Sequence, residues 1–331
     1  MRPTIKDVAK KAGVSIATVS RILNGLPGYT MATRQTVLDV IQEIGYRPNA
    51  IARGLVNKHT NTIGVLLPSI SSRLASALLN GIENAAHQLD YSTIICNTER
   101  DGKRTLEYLN VLSEKQVDGI IVTSEWLRDA YEEALVAMKI PVILVLTVSS
   151  HLPIPHIKLD DKLAAYQATE YLIDHGHTKI GMISGARDDK LAGLPRIEGY
   201  KQALSDNSLM ISEDRIAYGD FAYKSGIRCM EELFQRFPEI TAVFAASDEM
   251  AVGAFSCAYR KGIKIPDELS VIGYDDTQDA EMAIPPLTTV SQPVYEMGQR
   301  AVGMLFGDSE TTESVIMPHR IVERDSVRRI E

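Results

Sequence analysis

The sequence predicts a small all-α helix-turn-helix headpiece followed by an α/β core of two doubly wound lobes. Three observations predict it. Residues 1–45 place apolar residues at helical spacing only. From Thr62 onward, short apolar runs alternate with helical segments, the pattern of parallel sheets covered on both faces. That alternation comes in two series, over 62–147 and 161–275, one for each lobe. At 331 residues, 45% hydrophobic and 24% charged, the chain is long enough to bury such cores.

The headpiece elements follow in order. Thr4 is a helix N-cap with Asp7 three residues on, an acidic variant of the capping box. Ile5, Val8, Ala9 and Ala12 then form one stripe, and Gly13 closes the helix. Ser15 caps a second helix that turns Val19, Ile22 and Leu23 inward and stops near Asn24-Gly25. A third helix runs from about Thr30 to Ile44 with Val37, Leu38, Ile41 and Ile44 on one face. Pro48 breaks it, Asn49 caps a marginal helix over about 49–57, and a polar linker ends the unit near residue 60.

In the core, strands are expected at 62–69, 92–98, 117–124 and 140–147, with helices at 73–89, 102–115 and 127–138. The second series has strands at 179–185, 215–220, 240–247 and 269–275, and helices at 161–175, 196–206, 222–236 and 248–261. A strand at 287–292, a helix at 293–306 and a strand region around 315–325 form a tail long enough to cross between lobes. The expected division is an N-lobe of about 61–160 and 293–320, and a C-lobe of about 161–292 and 321–331. A cleft between lobes, near the carboxyl ends of parallel strands, is where small ligands bind.

Charge narrows the function. Residues 1–60 hold nine Lys or Arg against three acids, a net +6, on a body of 26 bases and 40 acids, a net −14. A basic domain on an acidic body points the basic part at a polyanion. The second helix, in GVSIATVSRILNG, carries one charge, Arg21. Small side chains at Ala17 and Thr18 let a helix approach bases closely. Ile16 faces outward, and Arg21 can fork onto guanine or phosphate. A generic αα-hairpin is the competing reading.

Other classes find little support. There is no G-x-G-x-x-G, Walker A, H-E-x-x-H or G-x-S-x-G motif, so no enzyme chemistry and no cofactor are expected. Cys96, Cys229 and Cys257 are odd in number and widely spaced, expected as buried thiols rather than disulfides or zinc ligands. His175 and His177 alone make a weak metal site. The start MRPTIKDVAKKAG lacks an apolar signal segment, and no apolar run reaches membrane-spanning length, so a cytoplasmic protein is expected.

Ligand candidates in the second lobe are Phe221, Asp248, Asp275 and Asp276, at or just after strand ends, and Arg196 at the start of a helix. Four of them have a plainer alternative: a surface ion pair for Arg196, a core aromatic for Phe221, helix or turn capping for Asp248 and Asp276.

TIKDVAKKAGVSIATVSRILNG with GYRPNAIARGL resembles the lac repressor/galactose repressor family of bacterial transcription regulators. SDEMAVGAF, IPDELSVIGYDD and PPLTTVSQP resemble that family's periplasmic-binding-protein-like effector core. The resemblance implies DNA contacts from Thr4, Ser15, Ile16, Ala17, Thr18, Arg21 and Asn24, and a hinge helix with Asn49, Ala52 and Leu55. Leu55 falls at the leucine that wedges into the minor groove; packing of a helix end is the alternative. It further implies a homodimer on a palindromic operator. Effector contacts fall on Arg196, Phe221, Ser247, Asp248, Asp275 and Gln292. The effector would be a small sugar or sugar phosphate. One aromatic wall of the family pocket is missing where this chain reads ISSRLAS, residues 70–76.

Within the family, PNAIARGL, KQVDGII, LIDHGH and PHRI resemble the catabolite control protein A group. That group implies a seryl-phosphorylated phosphocarrier protein as corepressor, on a surface matched by Tyr295, Glu296, Arg300 and Arg320. The group's phosphate-gripping arginine falls at Gly303 here, and Arg300 or Arg73 is the available substitute. The implied function is a repressor of carbohydrate-utilisation genes under allosteric control. A sugar-binding receptor without DNA activity is the alternative.

Overall fold

The computed structural model describes residues 3–46, 59–99, 102–124, 126–307 and 313–330. The chain divides into two compact units, Met1–Thr60 and Asn61–Glu331.

The first unit holds three helices among its described residues: α1 (Ile5–Ala12), α2 (Ile16–Leu23) and α3 (Met31–Ile44). The Asp7 carboxylate accepts the Thr4 amide at 2.8 Å and the Thr4 hydroxyl at 2.7 Å, which fixes the start of α1. Gly13 ends α1 at φ 66°, a left-handed conformation that glycine adopts without Cβ strain. Ser15 follows two residues later and accepts the Thr18 amide at 3.1 Å. The turn is short because each end supplies its own cap. Val8, Ala9, Val19, Ile22, Val37 and Val40 form the buried core. Each large aliphatic there contributes about 1.5–3 kcal/mol by leaving water. Val40 is the one core member outside the expected stripe of α3. Its face is centred between Val37 and Ile41, so Val40 turns in and Leu38 is only half-buried.

The second unit contains two six-stranded sheets. The first takes β1 (Thr62–Leu67), β2 (Ser92–Asn97), β3 (Gly119–Thr123), β4 (Val142–Val145), β5 (His156–Lys158) and, from the tail, β11 (Val315–Ile316). Its order is β2-β1-β3-β4-β5-β11, all parallel. The second takes β6 (Ile180–Ser184), β7 (Ile216–Tyr218), β8 (Ala242–Ala245), β9 (Ser270–Asp275), β10 (Thr288–Ser291) and β12 (Arg320–Val322). It repeats the order as β7-β6-β8-β9-β10-β12, with β12 antiparallel to β10. In each sheet the order reverses beside its first strand, a switch point where crossover loops diverge and leave a crevice.

Helices cover both sheets: α4 (Arg73–Gln88), α5 (Thr105–Glu114), α6 (Asp129–Met138), α7 (Asp161–Asp174), α8 (Gly193–Asp206), α9 (Tyr223–Arg236), α10 (Asp248–Arg260), α11 (Gln278–Met282) and α12 (Val294–Phe306). The tail helix α12 packs on α4 of the first lobe. A Cβ on Gly81 would collide with the Tyr295 carbonyl oxygen, and one on Gly298 with the Leu78 carbonyl. Glycine at both places lets the two helices touch backbone to backbone.

Four details depart from the sequence expectation. Helix α8 begins a turn earlier, at Gly193, because Asp189 accepts the Gly193 amide at 2.8 Å and supplies a start signal upstream. The short β5 and α11 were not expected; three and five residues are too few to show a period. The tail strand region splits in two, β11 joining the first sheet and β12 the second. Arg320, expected with the first lobe, opens β12 in the second sheet.

Candidate DNA interface and ligand cleft

In the first unit, α2 buries Val19 and Ile22 and turns Ile16, Ala17 and Arg21 outward. Ile16 is 45% exposed, an apolar side chain left in water that close contact with a groove would cover. Ser15 and Thr18 are committed elsewhere. Their hydroxyls bond each other at 2.9 Å and cap the helix, so Thr18 is half-buried and positions the helix end. Asn24 donates to Ser20 Oγ at 3.4 Å and is half-buried at the far end. Thr4 is exposed but engaged with Asp7. Arg21 is exposed, its guanidinium folded back against Gly28, where φ 114° and the missing side chain leave room. Lys6, Lys10 and Arg34 add exposed positive charge. Asn49, Ala52 and Leu55 lie outside the described residues.

In the second unit, the second sheet's strand ends gather most of the expected ligand residues. Arg196 on α8 is 5% exposed. It donates to Asp161 Oδ1 from Nε at 3.0 Å and Nη2 at 2.8 Å, and to the Ala246 carbonyl from Nη1 at 2.7 Å. Its guanidinium lies 3.6 Å from the centre of the Tyr274 ring and 5.8 Å from that of Phe221. Burial opposes the charge, but Tyr274, Asp161 and Asp275 more than offset it and hold the guanidinium above its ordinary pKa. Arg196 is therefore a charged keystone at the switch point between β6 and β8, not a surface ion pair.

Asp275 closes β9 at φ 119° and accepts Gln292 Nε2 at 2.6 Å. Burial raises its pKa well above the usual carboxylate range, against the pull of Arg196. Phe221 sits at φ 66° with its ring packed on Gly185, whose missing side chain makes the space.

Ser247 and Asp248 both make structural hydrogen bonds at this end of the sheet. Ser247 caps α10 through the Met250 amide at 3.2 Å and donates to the Phe221 carbonyl at 3.0 Å. Asp248 is fully buried and accepts the Thr277 amide and hydroxyl at 2.7 and 3.0 Å and the Thr289 hydroxyl at 2.5 Å. Burial lifts its pKa to about 7 against those hydrogen bonds. Asp276 pairs with Arg324 at 2.7 Å. Of the three, Ser247 is the helix cap; Asp248 ties its helix to Thr277 and Thr289, and Asp276 makes an ion pair rather than the cap or turn expected as its alternative.

Three buried side-chain atoms lack a hydrogen-bond partner among the described residues: Asn97 Oδ1, Ser184 Oγ and Gln292 Oε1. All three stand at or just past the carboxyl ends of parallel strands, β2, β6 and β10. An orphaned buried polar atom costs about 1–3 kcal/mol. Each of the three is at the end of its sheet where α/β proteins place ligands. Asp161, Tyr274, Ser184 and Asn97 escaped the sequence reading. Asp161 alone left a trace, in Asp160-Asp161: Asp160 accepts the Leu163 amide at 2.9 Å as the cap, which frees Asp161 to turn inward.

A separate cavity of about 550 Å³ is lined by Asp129, Glu132, Glu133, Val136, Ala137, His151 and Leu152. It shares no residue with this cluster. Among the described residues no His, Cys, Asp and Glu grouping could hold a metal ion. No helix among them is long and apolar enough to cross a membrane. Cys96, Cys229 and Cys257 are free and buried.

Residues 4–49 match the family of bacterial regulatory proteins of the lacI type, and residues 60–325 match the periplasmic binding proteins and sugar-binding domain of the LacI family. The chain belongs to the LacI family. It is a DNA-binding transcription regulator. Catabolite control protein A of Priestia megaterium is 40% identical over 332 residues, covering 99% of this chain and 100% of the relative. The HTH-type transcriptional regulator DegA of Bacillus subtilis is 38% identical, covering 98% of each. The lac repressor dimer bound to operator and an anti-inducer superposes with a TM-score of 0.88 at 28% identity, covering 99% of this chain and 100% of that one. The expected headpiece, two-lobed core and family stand on these findings.

Proposed function

We propose that this LacI-family regulator is a homodimeric, cytoplasmic repressor of carbohydrate-utilisation genes that reads a palindromic operator through α2. The observation that carries the reading is the outer face of α2: Ile16 and Ala17 exposed, Arg21 the one long polar reader, and no other charge on the helix. The +6 headpiece on a −14 body supports it, because the body is repelled by the phosphates that attract the headpiece. Leu55 of the hinge segment supplies the minor-groove wedge.

A dimer face is supported on the second lobe, where Tyr259 is 86%, Met282 65% and Ile284 92% exposed. These large apolar groups on α10, on α11 and just past its end are costly in water and suit a self-complementary contact. The small-molecule effector, a sugar or sugar phosphate, binds at the strand ends around Arg196, Phe221, Asp275 and Gln292. Ser184 Oγ and Gln292 Oε1 are the atoms awaiting its hydroxyls. Effector binding shifts the lobes and so the spacing of the hinge segments, which couples it to DNA affinity. The chain's relatives are transcription regulators, which supports a non-enzymatic role.

The phosphocarrier corepressor is a finer reading. Tyr295 and Glu296 are exposed on α12 beside α4, and the Tyr295 hydroxyl accepts Asn84 Nδ2 at 3.2 Å. Arg300 is exposed one turn before Gly303, while Arg73 is engaged with Asp279 at 3.3 Å. Arg300 is thus the freer cation for a phosphoserine.

Operator binding titrated with sugars, sugar phosphates and seryl-phosphorylated carrier protein tests the whole reading. One class should change the affinity at least fivefold. A response to none refutes the allosteric part, and no DNA binding at all favours the plain receptor.

A further inference from the structure

We infer that Lys190 and Trp126 form a clasp across the ligand cleft that selects for an anionic group on a ring-shaped ligand. This rests on the strand-end cleft being the effector site. Trp126 follows β3 and Lys190 follows β6, so each leaves its sheet at the switch point, one from either lobe. The Lys190 ammonium lies 4.9 Å from the centre of the Trp126 ring, and both residues stay exposed.

Each partner is held from behind. Leu127, 5% exposed, anchors the Trp126 loop in the core of the first lobe. Asp189 accepts the amides of Leu191 at 3.0 Å and Gly193 at 2.8 Å, which fixes the Lys190 loop at the entry to α8, the helix that carries Arg196. Lys190 and the buried guanidinium are therefore positioned by the same helix, and Trp126 by the opposite lobe.

The charges around the cleft are unevenly satisfied. Arg196 is neutralised by Asp161, with Asp275 beside it. Two further cations link the lobes and are both paired, Arg73 with Asp279 and Lys158 with Asp161. Lys190 has no ion pair among the described residues: Asp189 is spent on amides, and the exposed Asp188 makes no ion pair with it. An ammonium left against an aromatic face is a weak, reversible contact at an exposed site. A ligand ring entering the cleft takes over the Trp126 face and presents its anionic group to the released Lys190. Trp126 also gives the first lobe's side of the cleft an aromatic face, which residues 70–76 do not supply. Neutral rings gain the stacking but not the ion pair.

Trp126 is the single tryptophan of the chain, so its emission reports the clasp directly. The full-length protein is titrated with neutral hexoses and pentoses, their phosphate monoesters, the corresponding sugar acids, and inorganic phosphate. The same titrations are run on Lys190→Ala and Lys190→Arg, with calorimetry on Trp126→Phe. An anionic ring ligand should shift the emission and bind at least tenfold more tightly than its neutral parent. Lys190→Ala should remove that ratio and leave the neutral parent within twofold; Lys190→Arg should restore it. Equal weakening of both ligands, or an unchanged ratio, overturns the role of Lys190 while leaving the cleft in place. Inorganic phosphate binding as tightly as its ring esters overturns the stacking. No ligand of any class binding, with operator binding intact, overturns the cleft reading and the clasp with it.

Discussion

Arg196→Met separates a scaffold role from a purely ligand-binding one. The wild-type guanidinium makes three hydrogen bonds, stacks on Tyr274 and is 5% exposed. Its removal leaves Asp161, 7% exposed, with the Tyr274 hydroxyl at 3.2 Å and Lys158 at 3.5 Å as its remaining side-chain partners among the described residues. Breaking a buried pair from one side costs about 3–5 kcal/mol, because a charge remains buried without its partner. At roughly 2–4 °C per kcal/mol for a domain of this size, the core melting temperature should fall by about 6–20 °C. The assay is thermal unfolding of the ligand-free protein by circular dichroism. The double variant Arg196→Met/Asp161→Leu should recover part of the loss, since no buried charge is stranded. A ligand-free melting temperature within about 2 °C of wild type would refute the reasoning and make Arg196 a ligand contact alone.

Gly303→Arg should be tolerated, because nothing lies within 4 Å of the site a Cβ would take. Replacing an exposed helix glycine should add a few tenths to about 1 kcal/mol of stability, and binding of the phosphorylated carrier, measured by surface plasmon resonance, should tighten at least tenfold. His177 is 1% exposed, with ring nitrogens 3.0 Å from Thr241 Oγ1 and 3.2 Å from the Arg328 carbonyl; burial lowers its pKa to about 4. The unfolded chain takes up that proton near pH 6.5 while the folded one resists to about pH 4, so this histidine makes stability fall as pH drops between those values, by up to about 3 kcal/mol. Asp248 and Asp275 work in the opposite sense, their raised pKa values favouring the folded state on acidification. The check is therefore the difference between wild type and His177→Gln in urea unfolding at pH 7 and pH 5; an equal loss in both refutes it. Gly13→Ala should cost the headpiece about 1–2 kcal/mol through its left-handed φ of 66°, although no atom lies within 4 Å of the added methyl; chemical-shift-monitored urea unfolding would show it.

The headpiece was legible because its signals are local. Thr4, Asp7, Gly13 and Ser15 act on amides within a few residues, and the apolar spacing of α1 and α2 carries the core. The strands of both lobes were legible for the same reason, as apolar runs between helices. The ligand site was legible only in outline. Arg196, Asp275 and Gln292 could be named, but not that Arg196 pairs with Asp161, 35 residues distant, or that Asp275 bonds Gln292, 17 residues distant. Nothing local says that Asp248 spends its carboxylate on Thr277 and Thr289 rather than on a ligand. The Trp126–Lys190 contact joins residues of different lobes and exists only once both sheets have formed. Thr18 shows the limit at close range: its position suits base contact, yet its hydroxyl is used by the cap of its own helix.

The central claim is that α2 reads DNA sequence through Ile16, Ala17 and Arg21. Its most direct test is fluorescence-anisotropy titration of the full-length protein on a selected palindrome and on random duplex, at several salt concentrations, for wild type and Arg21→Ala. The wild type should prefer the palindrome at least 10³-fold, with affinity falling steeply as salt rises. Arg21→Ala should lose about 1–3 kcal/mol on the palindrome and far less on random DNA. Equal affinity for both duplexes, or a palindrome affinity untouched by Arg21→Ala, would contradict the account.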